Sequence, residues 1–429
     1  MIDTPHPEFP SMTLRRLAVF AFVAASSLGL AGAADWSRLR GPNGTGVVEE
    51  KTPVLFTAKD QLWKTAIPGT GHGSPIIVGD RVFLQSSSAD DSKRSLHCLN
   101  AKTGKIDWTK DVGAQRANSM HKKNTTASST PASDGDRVFA AVWDGTSLAL
   151  FAYDLDGKAL WNQSLGTYSA QHGAAHSPMV FDGLVYLNVD SDSSAKLVAF
   201  DTVKGTEKWR VDRVKERASY TTPMVLEEKG KPAQLILGTT TTVDSYDPKT
   251  GKSNWSYAVE WPSGKKLRAV GQPVFAAGNI VAYMGEGGAG RYMIAVKAGG
   301  AGTLGAKGKA WELKDKTPYV PSALVFEDHL YWVTDTGFAA CADAKTGKLL
   351  WDARAFQKGV SSSPILVGGT VFAIDEAGKA IAFKATPKGY EPAGKSDVGE
   401  PVLSSPAAAG GRLFIRGAEH LFCYGAKGS

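Results

Sequence analysis

Asp343-Ala344-Lys345-Thr346-Gly347-Lys348, with Trp351 four residues after the glycine, is the clearest copy of a motif that recurs along the chain. The same glycine-to-tryptophan offset returns from Gly104 to Trp108, from Gly157 to Trp161, from Gly205 to Trp209 and from Gly251 to Trp255. An Asn or Asp stands four residues before the glycine at Asn100, Asp201, Asp247 and Asp343, and Asp154 stands three before Gly157. This spacing predicts a tight hairpin. The Asn or Asp side chain bonds the backbone just ahead of it, and the glycine takes the left-handed conformation of the turn. The tryptophan then falls on the following strand as a large packing unit.

Outward from these turns the units read alike: Ser/Thr-Pro, an apolar strand, a Gly/Asp turn, a second apolar strand, a loop, a third strand, the Thr-Gly turn and the Trp strand. Proline suits the first residue of a strand, where no ladder bond is lost. It marks eight starts, at Pro75, Pro131, Pro178, Pro223, Pro273, Pro321, Pro364 and Pro406. A strand-built repeat of roughly 40–55 residues is the signature of a propeller. The last unit, from Pro406, runs out after three strands (407–409, 412–416, 421–424), whereas Trp63 in Gln61-Leu62-Trp63-Lys64-Thr65 is a fourth strand with no unit before it. Pairing the two removes both free edges. The expected fold is therefore all-β, an eight-bladed β-propeller of four-stranded antiparallel blades, closed by the Trp63 strand joining the C-terminal blade. Two units depart from the pattern: glycine precedes Trp311 by only three residues, and residues 388–396 have lost the Trp.

Residues 1–34 read as a signal peptide. Arg15-Arg16 give a basic start, residues 17–30 an apolar run, and Ala31-Gly32-Ala33 a small-residue cleavage pattern, with Met12 a candidate true start. The apolar run is too short for a membrane span, so the expectation is a periplasmic or secreted protein with no transmembrane segment after cleavage. Residues 35–60 form an irregular lead-in rich in glycine and turn residues, and 61–429 form the propeller. The formal charge of +7 is spread among alternating Lys, Arg, Asp and Glu, which argues against a nucleic-acid footprint. Cys98 and Cys341 each lie six residues before the turn glycine, and Cys423 holds the same place in the last unit. Equivalent positions on different blades are too far apart to bridge, so three free, buried thiols are predicted.

The recurring Asp-x-x-Thr-Gly-Lys-x-x-x-Trp resembles the quinoprotein-type, or PQQ-like, propeller repeat over nearly the whole mature chain. The opening Trp36-Ser37-Arg38-Leu39-Arg40-Gly41-Pro42, with Pro68-Gly69-Thr70-Gly71, looks like the exported bacterial BamB-like and PQQ-binding-like propellers. The resemblance implies three possibilities. Quinoprotein dehydrogenases carry adjacent cysteines, a calcium site and a catalytic aspartate, whereas Cys98, Cys341 and Cys423 stand alone; PQQ as cofactor rests on the resemblance only. An outer-membrane assembly factor of BamB type would carry a lipidated cysteine, and none stands at the cleavage pattern. An exported, non-catalytic binding scaffold, a monomer with a protein, peptide or glycan partner, fits the residues best.

In a four-stranded meander the short turns share one face, and the longer connections occupy the other, where binding residues are expected. His72, His121, His172 and His176 fall in those connections, with Lys122 beside His121, Asp190 and Asp192 in a neighbouring loop, and Arg213 and Arg217 before Tyr220. Together they read as a polar funnel for an anionic ligand, a sugar or a peptide strand. The bland alternative is that they cap loops around the channel mouth. His172 and His176 with Asp190 and Asp192 are ligand types, and Asn188, Asp190 and Asp192 alternate at strand spacing, but no Glu completes a cation loop and no nucleophile motif accompanies the His/Asp pair, so no metal and no catalytic residue is assigned. Gly285-Glu286-Gly287-Gly288-Ala289-Gly290 has a nucleotide loop's composition but no following helix, and reads as a blade loop.

Overall fold

The computed structural model describes residues 1–2, 35–117, 120–261, 264, 266, 268–286 and 289–426. The predicted signal peptide, with Met12, Arg15 and Arg16, lies outside the described residues. Contacts divide the chain into Met1–Gly32 and Ala33–Ser429, and the second unit is described below. Among the described residues no helix is long and apolar enough to cross a membrane.

Eight separate antiparallel sheets follow one another along the chain. Blade 1 is built from strands Ile76–Val78, Arg81–Ser87, Lys93–Asn100 and Ile106–Gly113, in that order from the inside outward. The second strand is buried along nearly its whole length, while the fourth alternates between half-buried and partly or fully exposed residues. Inner strands are sandwiched between neighbouring blades and must be apolar on both faces. The outer strand meets solvent and keeps the period of two. In blade 8, Ala407–Ala409, Arg412–Arg416 and His420–Tyr424 are completed by Gln61–Ala66, with Trp63 opposite Cys423. The chain ends thus close the ring where the sequence predicts.

The tryptophan does more than pack on its own blade. Five of the rings, those of Trp63, Trp108, Trp161, Trp209 and Trp311, lie over the turn glycine of the next blade, so Gly and Trp of one motif copy serve different interfaces. A Cβ on Gly104 would stand 2.6 Å from Trp63, on Gly157 2.9 Å from Trp108, on Gly205 2.5 Å from Trp161, on Gly251 2.7 Å from Trp209, and on Gly347 2.5 Å from Trp311. The indole N–H donates to a carbonyl of that same turn: Trp63 to Ala101 (3.0 Å), Trp108 to Leu155 (3.1 Å), Trp161 to Thr202 (3.0 Å), Trp209 to Pro248 (2.9 Å) and Trp311 to Ala344 (3.1 Å). Trp63, Trp209, Trp255 and Trp311 are buried, whereas Trp108, Trp161 and Trp351 are only half-buried. All seven stand on the outer strand of a blade, and these three keep one edge in solvent, so the motif's tryptophan is an inter-blade clamp and not always a core residue. Directly opposite the Trp, the third strand carries Cys98, Ala152, Ala199, Ser245, Ala295, Cys341 or Cys423. A small side chain leaves room for the indole. The three cysteines are free and buried, as expected.

The atypical units have physical reasons. In blade 7, Gly394 stands opposite Ala382, in the tryptophan's register. Its Trp would cover the last hairpin turn of blade 8, and blade 8 has none, because its outer strand comes from the other end of the chain; Leu55 lies over Gly394 instead. In blade 5 the last turn is replaced by a longer excursion, of which Gly302–Leu304 pairs in parallel with the outer strand of blade 4. Trp255 of blade 4 accordingly bonds Gln234 of its own blade (3.0 Å). Pro321 lies three residues before its strand, Leu324–Phe326. Ala323 takes the proline's place there and donates its N–H to the Tyr283 hydroxyl (3.0 Å).

The lead-in crosses the central channel. Trp36 pairs with Ile77 of blade 1, Asn43 exchanges two bonds with Val225 of blade 4 (2.6 and 2.9 Å), and Val47–Val48 lie parallel to Leu366 and Val367 of blade 7. Arg40, with a positive φ of 63°, and Gly41 and Gly44 supply the backbone reversals that let it turn inside the ring.

Candidate functional site

The eight connections that lead into the inner strands converge on the ring axis. They wall a funnel of about 430 Å3 whose lining includes His72, Ser74, Lys122, Thr130, Ser177, Thr222, Tyr319, Ser363 and Ser405, with Leu39 of the crossing segment as floor. None of the Thr-Gly turns lines it. The loop-rich face is therefore the concave one.

The Ser/Thr residues that precede the inner strands form a relay around the axis. Each backbone N–H donates to the hydroxyl of the next blade: Ser322 to Ser363, Ser363 to Ser405, Ser405 to Ser74, Ser74 to Thr130 and Thr130 to Ser177, all at 2.9–3.0 Å. Gln272 N–H donates to Ser322 in the same way (3.0 Å). Among the described residues the relay is interrupted at Thr222, whose buried hydroxyl has no partner. The sequence shows these residues only as strand-start punctuation; their alignment on one ring comes from closure.

The predicted site residues separate into four groups. His72, His121, Lys122 and His172 line the funnel. The rings of His121 and His172 lie 4.8 Å apart, and Asn124 fixes that connection by donating to the His172 carbonyl (2.7 Å). His72 Nδ1 bonds the Lys123 carbonyl (3.1 Å). Burial, together with Arg268 and His121, pulls His172 down to about 4, and burial also lowers His72; both imidazoles are neutral at pH 7.

His176 lies outside the funnel, 1 % exposed, between the rings of Tyr168 (5.0 Å) and Tyr220 (5.7 Å). Neither ring nitrogen makes a hydrogen bond of normal geometry, and burial lowers it to about 3. It packs as an aromatic.

Asp190, Arg213 and Arg217 line a second cavity, about 310 Å3, between blades 3 and 4, together with Thr239, Thr240, Thr241 and Asp244. Arg213 donates to both Asp190 and Asn188, which spends that strand face on an internal pair. Arg217 pairs with Glu286 (2.8 Å), which also holds the buried Arg268 (2.8 Å). Asp192 sits past the strand that ends at Asp190 and accepts the N–H groups of Gln171 (2.8 Å) and Ala218 (3.0 Å). It ties two connections together. The glycine-rich stretch forms a strand pair, Asn279–Glu286 with Ala289–Lys297, and its Glu286 is the carboxylate just described.

Three arginines that sequence reasoning did not select stand against the relay. Arg38 donates to Pro223 O (2.7 Å), Arg40 to Ala323 O (2.6 Å) and Gly44 O (2.9 Å), and Arg416 to Gly73 O (3.2 Å) and Gln85 O (2.5 Å). They are 4 %, 1 % and 2 % exposed.

The lining does not fit a quinone held with calcium, the cofactor pair that the repeat resemblance implies. Asp335 is the one carboxylate among the described lining residues, and Arg291 engages it. The cysteines are all sealed in blades 1, 6 and 8. A Ser–His contact exists at Ser86 and His97 (2.7 Å), but both are 1 % exposed inside blade 1 and closed to a substrate.

Comparison with known proteins gives curated relatives of differing kinds. The chain is 27% identical over 207 residues to a polyvinylalcohol dehydrogenase of a Pseudomonas species, covering 44% of this chain and 30% of that one. It is 23% identical over 351 residues to the tetrathionate hydrolase of Acidithiobacillus ferrooxidans, covering 72% and 64%. The matches thus span less than two thirds of those relatives. Among solved structures, BamB from Moraxella catarrhalis aligns with a TM-score of 0.60 at 12% identity, over 85% of this chain and 99% of that one. A europium-containing methanol dehydrogenase aligns with a TM-score of 0.63 at 11% identity, over 90% of each. At such identities the likeness is one of fold. The PQQ_2 family model, described as outer membrane protein assembly factor BamB, matches residues 33–130, 116–307 and 306–387. Across that extent, most of the described ring, the chain belongs to this family of PQQ-like β-propellers.

Proposed function

We propose that the protein is an exported, non-catalytic binding propeller, acting as a monomer, that receives a partner's protein, peptide or glycan segment in the axial funnel. The observation that carries this reading is the funnel itself: about 430 Å3, walled by connections from all eight blades on a frame of stacked sheets. Its volume lies in the range of ligand pockets, roughly 300–1,000 Å3. Its described lining offers hydroxyls, the imidazoles of His72, His121 and His172, and Lys122 rather than a nucleophile with its base. A role in outer-membrane protein assembly is the second reading, favoured by the description of the matching family. Under it the partner is a protein, and a deletion strain shows depleted outer-membrane proteins.

The test places a photo-crosslinking residue at position 122, on the funnel, and at position 345, on an opposite-face turn, in the exported protein. The expected result is a defined adduct from 122 and none from 345. Adducts from 345 alone, or from neither, overturn the reading. Dye-linked oxidation of an alcohol or sugar on adding quinone and calcium would replace it with the oxidoreductase alternative.

A further inference from the structure

We infer that the funnel holds an anionic group, a carboxylate or an inorganic oxyanion, on the ring axis against the hydroxyl relay. The inference deepens the binding reading and rests on it. Two independent observations lead to it.

The first is a hydrogen-bond inventory. The hydroxyls of Ser74, Thr130, Ser177, Ser363 and Ser405 each accept one backbone N–H. A hydroxyl so engaged still has its own proton to donate. Among the described residues no acceptor takes it from any of the five. They occupy five consecutive blades, 7, 8, 1, 2 and 3, and all line the funnel. An arc of converging O–H donors with no acceptors calls for a ligand rich in acceptors. A sugar hydroxyl brings a donor of its own with its acceptor oxygen, whereas a carboxylate or an oxyanion offers acceptors alone.

The second is charge. Arg38, Arg40 and Arg416 are buried cations bonded only to carbonyl oxygens, and among the described residues none has a carboxylate in ion-pair range. Burial lowers them to about 9, 10 and 9, so all three remain charged at neutral pH. Their acceptors Pro223, Ala323 and Gly73 each adjoin a ring position: Thr222, Ser322 and Ser74. The positive charges are therefore spaced around the relay, and Leu39, between two of them, is the funnel floor. Unscreened charge beneath a concave, low-dielectric wall focuses its field into the opening. An anion on the axis would meet that field and the five O–H donors together.

The test titrates sulfate, phosphate, acetate and the neutral polyol sorbitol into the full exported chain by calorimetry at fixed ionic strength. Expected is saturable one-site binding of at least one anion and none of sorbitol, weakened at least tenfold by Ser405→Ala. Leu39→Glu, which tethers a carboxylate under the ring, is expected to abolish binding of added anion while raising Tm. Binding of acetate alone identifies a carboxylate-bearing ligand, and binding of sulfate or phosphate identifies a free oxyanion. No saturable isotherm with any anion, or binding unchanged in both variants, overturns the inference. Non-saturating stabilisation by sulfate counts as absence of binding, since excluded salts stabilise folded proteins generally. Crosslinking at position 122 uses no added ion, so the broader binding reading stands or falls separately.

Discussion

Gly347→Ala tests the claim that each blade is locked to the next through a glycine seated under a tryptophan. Gly347 has φ 72°, and a left-handed conformation costs an alanine about 1–2 kcal/mol. Its new Cβ would stand 2.5 Å from both Cδ2 and Cε3 of Trp311, a ring 7 % exposed. Forcing such an overlap costs about 1–3 kcal/mol more, for a sum of about 2–5 kcal/mol. The protein supplies its own control. Gly183 has φ 75° with nothing within 4 Å of its Cβ, so Gly183→Ala should show the backbone cost alone. Denaturant unfolding followed by tryptophan fluorescence gives the midpoint shift, read at constant slope. In a Trp311→Ala background the Gly347→Ala cost should fall to that of Gly183→Ala, a coupling of about 1–3 kcal/mol. Equal costs for Gly347→Ala with and without Trp311, or equal costs for Gly347→Ala and Gly183→Ala, would refute the interlocking argument.

Other outcomes follow from buried groups. His97 and His176 titrate near 4 and 3 in the folded protein, chiefly through burial, against 6.5 for a free histidine. The unfolded chain then binds more protons, so stability should fall as pH drops from about 6.5 toward 4. His176→Phe, which keeps the stack between Tyr168 and Tyr220, should flatten that slope in melting curves taken from pH 8 to 5; an unchanged slope contradicts the assignment. Burial pushes the thiols of Cys98, Cys341 and Cys423 up to about 12, 11 and 12. A thiol reagent should therefore label none of them in the native protein within minutes and all three in denaturant. Asp192→Ala removes the acceptor for two backbone N–H groups, so hydrogen exchange at Gln171 and Ala218 should accelerate while strand amides stay protected. Arg213→Met leaves Asp190 buried without its cation and should destabilise by about 3–5 kcal/mol, read by the same denaturant assay.

The repeat made the blade count, the closure and the free thiols legible, because each depends on local spacing: a turn glycine, a strand's period of two, a proline at a strand start. The candidate site was legible only in part. His72, His121, Lys122 and His172 share the funnel because they lie in connections of one face, and meander topology fixes the face from strand order. His176 lies in such a connection as well, yet it is drawn between two tyrosines. Asp190 and Asn188 are consumed by Arg213, which follows the outer strand Glu207–Asp212 of the same blade. Sequence spacing states which loop a side chain leaves from, and carries no information on what meets it there.

Residue order alone determined that this chain is a closed ring of eight small sheets, since a motif repeated at near-constant intervals leaves stacking as the way to bury each blade's two faces. Tertiary structure decided three things. Every motif tryptophan but Trp255 serves the following blade, Leu39 of the lead-in floors the funnel, and hydroxyls spread over more than 300 positions of sequence stand shoulder to shoulder with three buried arginines. The physical reason is closure. Bending a linear repeat into a ring brings the same position of every unit to one axis, where hydroxyls and charges distant in sequence sum into a single environment.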